Sequence, residues 1–295
     1  MKRIFMIMNP KSGRTKPKSM LFEIMSVFSE HNCMVTTVFT RVEGDAVKYA
    51  LEACESRLYD AIITCGGDGT LSETMSGVQQ SENRLPIGYI PCGSTNDYAR
   101  SLGISTDYVE AAEKAVTGSA HKVDIGRLND RCFNYIASFG AFTSVSYSAP
   151  RSLKNMLGHM AYVLEGTKEL TKIKSNHVRM ETTSSVYEND YIFGAIVNST
   201  SIGGIVKLDE ALVSFNDGVF EVCLVKKPKS PADVVKIVRG VMNSDFSAEC
   251  FEFFRASNMK ITAPEEMSWS LDGEKSDPGR DIEFKIIHGA VDLII

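Results

Sequence analysis

The sequence lacks a long apolar run and an excess of basic residues. The apolar run nearest the start, Ile4–Met8, is far shorter than the roughly 18 residues of a membrane-spanning helix, and polar Asn9 and Lys11 follow it at once. The pattern therefore predicts neither a transmembrane segment nor a signal peptide. Lys and Arg total 32 against 37 Asp and Glu, a formal charge of −5, whereas nucleic-acid binders usually carry a basic excess. We expect a soluble cytoplasmic protein that does not bind nucleic acid.

Metal-binding and disulfide patterns built on cysteine or histidine are also missing. The seven cysteines are scattered, with no C-x-x-C spacing, and the five histidines are isolated, with no H-x-x-x-H pair. A zinc site or a disulfide framework is therefore not expected. The cysteines, at positions 33, 54, 65, 92, 132, 223 and 250, are instead predicted to be free buried thiols.

The chain does have an ordinary globular composition, with 43% apolar and 23% charged residues over 295 positions. This length predicts two domains, each large enough for its own core. Residues 1–124 alternate strand-like and helix-like segments, which indicates βαβ crossovers and a doubly wound α/β domain. Residues 125–295 contain mostly strand-like segments with few crossovers, which favours a mainly antiparallel β-sandwich domain. We leave open a return of its last strand to the first domain.

Apolar periodicity places the individual elements. The predicted strands of the first domain are Ile4–Met8, Val35–Phe39, Ala61–Cys65 and Ile87–Pro91. In the second domain, Phe133–Phe139 is predicted as one strand, and Tyr187–Asp190 as a turn that precedes the strand Tyr191–Asn198. Helices are predicted at Leu153–Leu170 and Pro231–Met242.

Three glycine-bearing turns each follow a predicted strand and precede a predicted helix: Asn9–Gly13, Gly66–Thr70 and Gly93–Asp97. In an open α/β sheet such turns lie at the carboxyl ends of strands, where ligands bind. Glycine lets the backbone approach a phosphate closely, and helix N-termini offer unpaired N–H groups. Neither G-x-x-x-x-G-K-[ST] nor G-x-G-x-x-G occurs at these turns. The first domain is nevertheless predicted to bind phosphate.

An aspartate stands between the glycines of the second turn. A carboxylate at position 68 would repel a phosphate unless a cation lay between them, so Asp68 predicts a Mg²⁺ that bridges carboxylate and phosphate oxygens. The alternative is an Asp-Gly turn that only caps the following helix.

The three turns resemble the nucleotide motifs of one known superfamily. The residues that carry the resemblance are Asn9-Pro10-Lys11-Ser12-Gly13, Gly66-Gly67-Asp68-Gly69-Thr70-Leu71-Ser72-Glu73 and Pro91-Cys92-Gly93-Ser94-Thr95-Asn96-Asp97-Tyr98-Ala99-Arg100, with Leu271-Asp272-Gly273-Glu274 as a fourth motif. They are similar to the motifs of the diacylglycerol kinase catalytic superfamily, which includes the sphingosine and ceramide kinases, and above all to those of the soluble bacterial diacylglycerol/lipid kinases. Order, spacing and length agree over nearly the whole chain. One departure is Ser94, where the family more often has Thr.

The resemblance implies an ATP- and Mg²⁺-dependent lipid kinase that phosphorylates a lipid hydroxyl, with diacylglycerol as the expected acceptor and phosphatidic acid as the product. Residues 1–124 would bind ATP and residues 125–295 the lipid. The implied ATP site consists of Asn9, Pro10, Lys11, Ser12, Gly13, Thr40, Gly66, Gly67, Asp68, Gly69, Thr70, Leu71, Ser72, Ser94 and Thr95. Asp68 and Asp97 would hold the nucleotide Mg²⁺, partly through water.

The fourth motif implies the catalytic groups. Asp272 resembles the family's general base and Glu274 its supporting carboxylate, because a lipid hydroxyl must lose a proton as it attacks the γ-phosphate. The alternative makes Asp272-Gly273 a hairpin turn flanked by solvated charges.

A second cation site is implied by the segment Ser214–Val219. The bacterial members hold a structural Mg²⁺ in a loop that usually contains Asp-Asp-Gly, and here Asn216 replaces the first aspartate while Asp217 remains. Asp217 and the carbonyls of Ser214 and Val219 are the candidate ligands. An ordinary Asn-Asp-Gly turn is the alternative.

A soluble lipid kinase must either meet its substrate at a bilayer surface or extract it. The region Leu153–Lys174 combines basic and apolar residues and is consistent either with a helix that docks on anionic lipid or with a packed domain helix that has a solvated face. We therefore expect peripheral contact with the inner membrane surface, and we leave a homodimer open. The competing functions are an NAD kinase, which shares Gly-Gly-Asp-Gly-Thr, and an inactive sensor of lipid or nucleotide.

Overall fold

The computed structural model describes residues 1–13, 17–94, 96–140, 174–202, 206–208 and 213–295. They form two compact units: Met1–Asp124 with His288–Ile295, here called unit 1, and Ile125–Ile287, here called unit 2. The predicted helix Leu153–Leu170 lies outside the described residues. Within the described part of the chain, no helix is long and apolar enough to span a membrane.

Unit 1 contains a parallel sheet with the strand order β2-β1-β3-β4. Its strands are β1 (Lys2–Met8), β2 (Cys33–Phe39), β3 (Ala61–Gly66) and β4 (Ile87–Pro91). Its helices are α1 (Pro17–Glu30), α2 (Asp45–Ser56), α3 (Asp68–Gln80), α4 (Asp97–Ser101) and α5 (Tyr108–Thr117). Every residue of β3 and β4 is buried, as expected for strands of a parallel sheet that is covered on both faces, and this explains their short apolar runs.

Unit 2 is built from antiparallel strand pairs. Its strands are β6 (Arg131–Phe133), β7 (Ile136–Gly140), β8 (Asn176–Glu181), β9 (Val186–Val197), β10 (Ser201–Ile202), β11 (Val206–Lys207), β12 (Phe220–Lys226), β13 (Phe251–Ala256), β14 (Asn258–Thr262), β15 (Trp269–Leu271) and β16 (Glu274–Ser276). Two strands have residues in both units, β5 (Ala120–Leu128) and β17 (Asp281–Ile294). The predicted fold class, α/β followed by a mainly antiparallel β region, is confirmed.

The core of unit 2 is aromatic. Trp269 and Phe139 are fully buried and pack with ring centroids 4.8 Å apart, and Phe133 packs edge-on against Phe220 at 5.7 Å. A second apolar cluster includes the buried face of helix α6 (Pro231–Asn243), whose first turn is closed by a Ser230–Asp233 capping box.

Two predicted elements of unit 2 were wrong. The predicted strand Phe133–Phe139 is divided between β6 and β7, because the backbone N–H groups of Asn134 and Tyr135 point to a side chain instead of a neighbouring strand. The predicted turn Tyr187–Asp190 is the first half of β9. Its charged residues lie opposite cationic residues of β8. Glu188 Oε2, for example, accepts a hydrogen bond from Arg179 Nη1 at 2.6 Å.

Candidate active site

The first two glycine turns of unit 1 are joined directly by hydrogen bonds. Gly67 N–H donates to Ser12 Oγ at 3.2 Å, and the side-chain amide of Asn9 donates to Thr70 Oγ1 at 3.1 Å. The backbone N–H of Asn9 also donates to the carbonyl of Cys65 at 2.9 Å. The parallel strands β1 and β3 place these groups together because their carboxyl ends lie at the same sheet edge.

The third turn packs against the other two through glycine. A Cβ atom on Gly93 would lie 2.8 Å from Gly67 Cα, and a Cβ on Gly13 would lie 2.1 Å from the carbonyl oxygen of Cys92. Gly13 also has a φ of +76°, which favours glycine. The three turns that the sequence placed at one sheet edge therefore form one interlocked cluster, which we call the turn cluster.

The two predicted Mg²⁺ ligands of unit 1 are brought together in the turn cluster. Asp68 Oδ2 accepts a hydrogen bond from the backbone N–H of Asp97 at 3.0 Å. Burial raises the pKa of Asp97. Among the described residues no group of three or more His, Cys, Asp or Glu side chains is arranged to hold a metal. Two carboxylates fit a Mg²⁺ that arrives with nucleotide phosphates, since such ions keep waters and phosphate oxygens as ligands.

The other predicted ATP-site residues differ in how accessible they are. Ser94 is exposed, and Thr40 is buried just after β2, with its N–H bonded to the carbonyl of Met8 at 3.0 Å. Leu71 is buried, and its N–H donates to the carbonyl of Gly67 at 3.1 Å as part of α3. Thr95 lies outside the described residues.

In unit 2, Asp272 lies in the two-residue turn between β15 and β16. Its φ of +50° and the +96° of Gly273 are typical of a type I′ hairpin turn, so the predicted hairpin is present. Asp272 is 8% exposed, and its carboxylate accepts four hydrogen bonds. Asn134 N and Nδ2 donate to Oδ2 at 2.7 and 3.1 Å, and the N–H groups of Tyr135 and Ile136 each donate to Oδ1 at 3.1 Å. A carboxylate offers about four such positions.

Glu274 has a more open environment than Asp272. Its side chain is 44% exposed, and Oε2 lies 3.4 Å from Nη2 of Arg131. Arg131 also donates to the carbonyl of Lys275 at 2.9 Å. The arrangement leaves one buried, fully hydrogen-bonded carboxylate and one accessible carboxylate two residues apart.

In unit 2, an arginine of strand β13 lies against Asp217, where a cation was expected. Asp217 Oδ1 accepts from Val219 N–H at 3.2 Å, and Oδ2 is ion-paired with Arg255. Arg255 Nε also donates to Glu221 Oε1 at 3.1 Å, and burial raises the pKa of Glu221 to about 7. This donor set fits an arginine–carboxylate cluster better than a hard cation. The Mg²⁺ site at Ser214, Asp217 and Val219 therefore stays a prediction that the ion pair disfavours.

Sequence patterns did not reveal Asn134 or Arg255. Asn134 is 138 positions from the carboxylate that it binds, and Arg255 is 38 positions from Asp217. Asn134 falls within the predicted strand Phe133–Phe139, Arg255 falls within no predicted strand or motif, and no local spacing rule connects residues so far apart.

Two family models match the chain. The model described as the diacylglycerol kinase catalytic domain matches residues 3–128, and the one described as the YegS C-terminal NAD kinase beta sandwich-like domain matches residues 136–295. The first model covers all three turns and the second covers Asp272 and Glu274.

Named relatives and solved structures agree with the family models. The chain is 34% identical over 275 residues to a diacylglycerol kinase of Bacillus subtilis, which covers 93% of this chain and 90% of the relative. It is 29% identical over 287 residues to one of Staphylococcus saprophyticus, covering 96% and 93%. A crystal structure of a diacylglycerol kinase from Bacillus anthracis has a TM-score of 0.77 at 21% identity, covering 99% of this chain and 96% of that one, and so supports the fold.

These matches confirm the predicted family and do not favour the NAD kinase or sensor alternatives. The chain belongs to the diacylglycerol kinase family and is a lipid kinase.

Proposed function

We propose that this lipid kinase transfers the γ-phosphate of ATP to the hydroxyl of diacylglycerol and so forms phosphatidic acid. The observation that carries the proposal is the turn cluster, in which hydrogen bonds and glycine contacts hold three strand–turn–helix junctions together. The names of the relatives support diacylglycerol as the acceptor.

In this proposal the turn cluster binds the phosphates of ATP. Its helix N-termini and hydroxyls supply donors, and the absence of side chains at Gly67 and Gly93 allows close approach of the backbone. The proposed contacts are Asn9–Gly13, Thr40, Gly66–Ser72, Ser94 and Thr95.

Asp68 and Asp97 are the residues that would hold Mg²⁺. When bound, the ion would neutralise charge on the phosphate oxygens. The hydrogen bond from Asp97 N–H to Asp68 Oδ2 orients the carboxylate of Asp68 with respect to the start of α4.

Asp272 is the proposed general base and Glu274 its supporting carboxylate. Hydrogen-bond donors of the protein occupy the acceptor positions of the Asp272 carboxylate. One of these donors must therefore leave before the carboxylate can bind a substrate hydroxyl. The side-chain amide of Asn134 is the donor that can rotate away without any movement of the backbone. Glu274 is accessible without any such change and supports Asp272 by attracting the proton.

Diacylglycerol resides in a bilayer, so we further propose that the enzyme works in the cytoplasm and meets its acceptor at the inner membrane surface. The region Leu153–Lys174, whose sequence is basic and apolar, is the proposed contact.

A panel of acceptors tests the proposed substrate. Purified enzyme, Mg²⁺ and γ-labelled ATP would be incubated with mixed micelles of diacylglycerol, phosphatidylglycerol, sphingosine or ceramide, and separately with NAD. We expect the highest kcat/KM with diacylglycerol. A higher kcat/KM with another lipid would still support a lipid kinase but would identify that lipid, instead of diacylglycerol, as the acceptor.

A further inference from the structure

Two cysteines meet at the base of the turn cluster. The sulfur atoms of Cys65 and Cys92 lie 3.2 Å apart, although neither is in a disulfide. Cys65 is the penultimate residue of β3 and pairs with Ile90, while Cys92 follows β4 directly. In a parallel pair Cys65, Ile90 and Cys92 share one face of the sheet, so the contact follows from the register.

The two thiols differ in access and in acidity. Cys65 is 2% exposed, whereas Cys92 is partly exposed. A hydrogen bond from the Cys65 thiol lowers the pKa of Cys92, and the same bond together with burial raises the pKa of Cys65 well above its usual range. Cys92 is therefore the sulfur that an oxidant reaches as thiolate, and Cys65 is positioned as the resolving thiol.

We infer that Cys65 and Cys92 form a reversible disulfide that inactivates the kinase by distorting its turn cluster. With hydrogen peroxide as the oxidant, the Cys92 thiolate attacks one peroxide oxygen, the O–O bond breaks, and the departing hydroxide takes up a proton to become water. The sulfur of Cys65 then attacks the resulting sulfenic acid, the S–O bond breaks, and a second water leaves with the thiol proton. A thiol reductant reverses the change by disulfide exchange.

The new bond would move the third turn. A disulfide has an S–S length of about 2.05 Å, so the two sulfurs must approach by about 1 Å from their separation of 3.2 Å. Cys65 belongs to β3, which is held on both sides by β1 and β4, whereas Cys92 follows the end of β4 and begins a turn. We therefore expect the turn to move and β3 to stay in place.

Movement of the third turn changes contacts within the turn cluster. The carbonyl of Cys92 lies against Gly13, and Gly93 lies against Gly67. A displacement of about 1 Å of groups that position a substrate can cost about a hundredfold in rate. The effect on ATP rests on the proposed function, whereas formation of the disulfide does not.

Peroxide treatment followed by peptide mapping tests the disulfide itself. The native enzyme would be oxidised with hydrogen peroxide, blocked with an alkylating agent and digested. We expect a linked peptide pair that contains Cys65 and Cys92 and is lost after treatment with dithiothreitol. Oxidation of partly exposed Cys33 without any linked Cys65–Cys92 peptide would overturn the inference.

Kinetics of the same samples test the consequence. We expect kcat/KM for ATP to fall by about a hundredfold on oxidation and to recover on reduction. Cys92→Ser and Cys65→Ser, each compared with its own reduced form, should lose this response, and Cys33→Ser should keep it. A linked peptide with unchanged kcat/KM would overturn the regulatory role. If the reduced enzyme had no diacylglycerol kinase activity, the proposed function would be contradicted. The linked peptide would then still show whether the disulfide forms.

Discussion

The backbone N–H and the side-chain amide of Asn134 both donate to the same carboxylate oxygen of Asp272, at 2.7 and 3.1 Å. This relationship joins the β15–β16 turn to the connection between β6 and β7. The predicted general base is therefore also a structural residue, and variants of Asp272 change two properties at once.

Asn134→Ala should weaken the fold without lowering the turnover. The variant keeps the backbone donor but removes the side-chain donor to a buried carboxylate, which should lower the free energy of unfolding by about 1.5–3 kcal/mol. Urea unfolding measures this loss. Because the amide must leave before Asp272 can bind the substrate hydroxyl, its removal should leave kcat equal to or higher than that of the wild type. A kcat loss as large as that of Asp272→Asn would contradict this role for Asn134.

Asp272→Asn should lose both activity and stability. An asparagine amide would turn two donors toward backbone N–H groups, leaving buried donors without an acceptor at about 1–3 kcal/mol each. The loss of a general base should lower kcat by about a hundredfold or more. Steady-state kinetics and thermal unfolding on the same preparation measure both effects. Near-wild-type kcat in folded Asp272→Asn would remove Asp272 as the base.

Glu274→Gln is the matched test of the accessible carboxylate. Because this side chain is 44% exposed and its partner Arg131 is half-exposed, the melting temperature should hardly change. kcat should fall by about tenfold or more if the carboxylate attracts the departing proton. Unchanged kcat would exclude Glu274 from proton transfer, whereas a larger loss than in Asp272→Asn would make it the base.

Gly67→Val should weaken ATP binding without unfolding the chain. Gly67 has an extended backbone with a φ of −90°, and a Cβ there would have its nearest neighbour, Gly93 Cα, at 3.4 Å, so the protein itself has room for the first atom. The remaining atoms would occupy the side proposed for phosphate. We expect the Kd for ATP to rise by about tenfold or more, with Gly67→Ala intermediate. Calorimetric titration measures both, and an unchanged Kd in folded Gly67→Val would contradict the placement of the phosphates.

Removal of divalent cations should not lower the melting temperature of the nucleotide-free enzyme. The carboxylate of Asp217 is ion-paired with Arg255, so the loop has its positive charge without a metal. Thermal unfolding in EDTA and in Mg²⁺ should therefore coincide. A melting temperature that falls in EDTA and is restored by Mg²⁺ would show that the second cation site is retained.

Local signals predicted the turn cluster well and the surroundings of Asp272 poorly. β1, β3 and β4 are short apolar runs that end at Met8, Gly66 and Pro91, so strand, turn and helix could be placed from neighbouring residues alone. The partners of Asp272 lie more than a hundred positions away, and three of the four donors are backbone N–H groups that any residue except proline would supply.

Two further elements also lack a signal that can be read from their own residues. Helix α5 begins at the N-cap Asp107 and buries only Ala111, Ala112 and Ala115, so it lacks the large apolar residues that mark a helical face. The charged residues in the first half of β9 pair with charged residues of β8. The residues of β9 alone do not reveal these partners, so the segment resembles a turn.

Transfer of the γ-phosphate of ATP to diacylglycerol can be measured directly as the rate at which labelled phosphatidic acid forms from γ-labelled ATP. This rate would be measured over a range of Mg²⁺ concentrations for the wild type and for Asp68→Asn. We expect the wild type to form the product in a saturable, Mg²⁺-dependent manner. We expect Asp68→Asn to need about tenfold more Mg²⁺ or to turn over about a hundredfold more slowly. No labelled phosphatidic acid from the wild type, or an identical Mg²⁺ dependence for the two proteins, would contradict the proposed function.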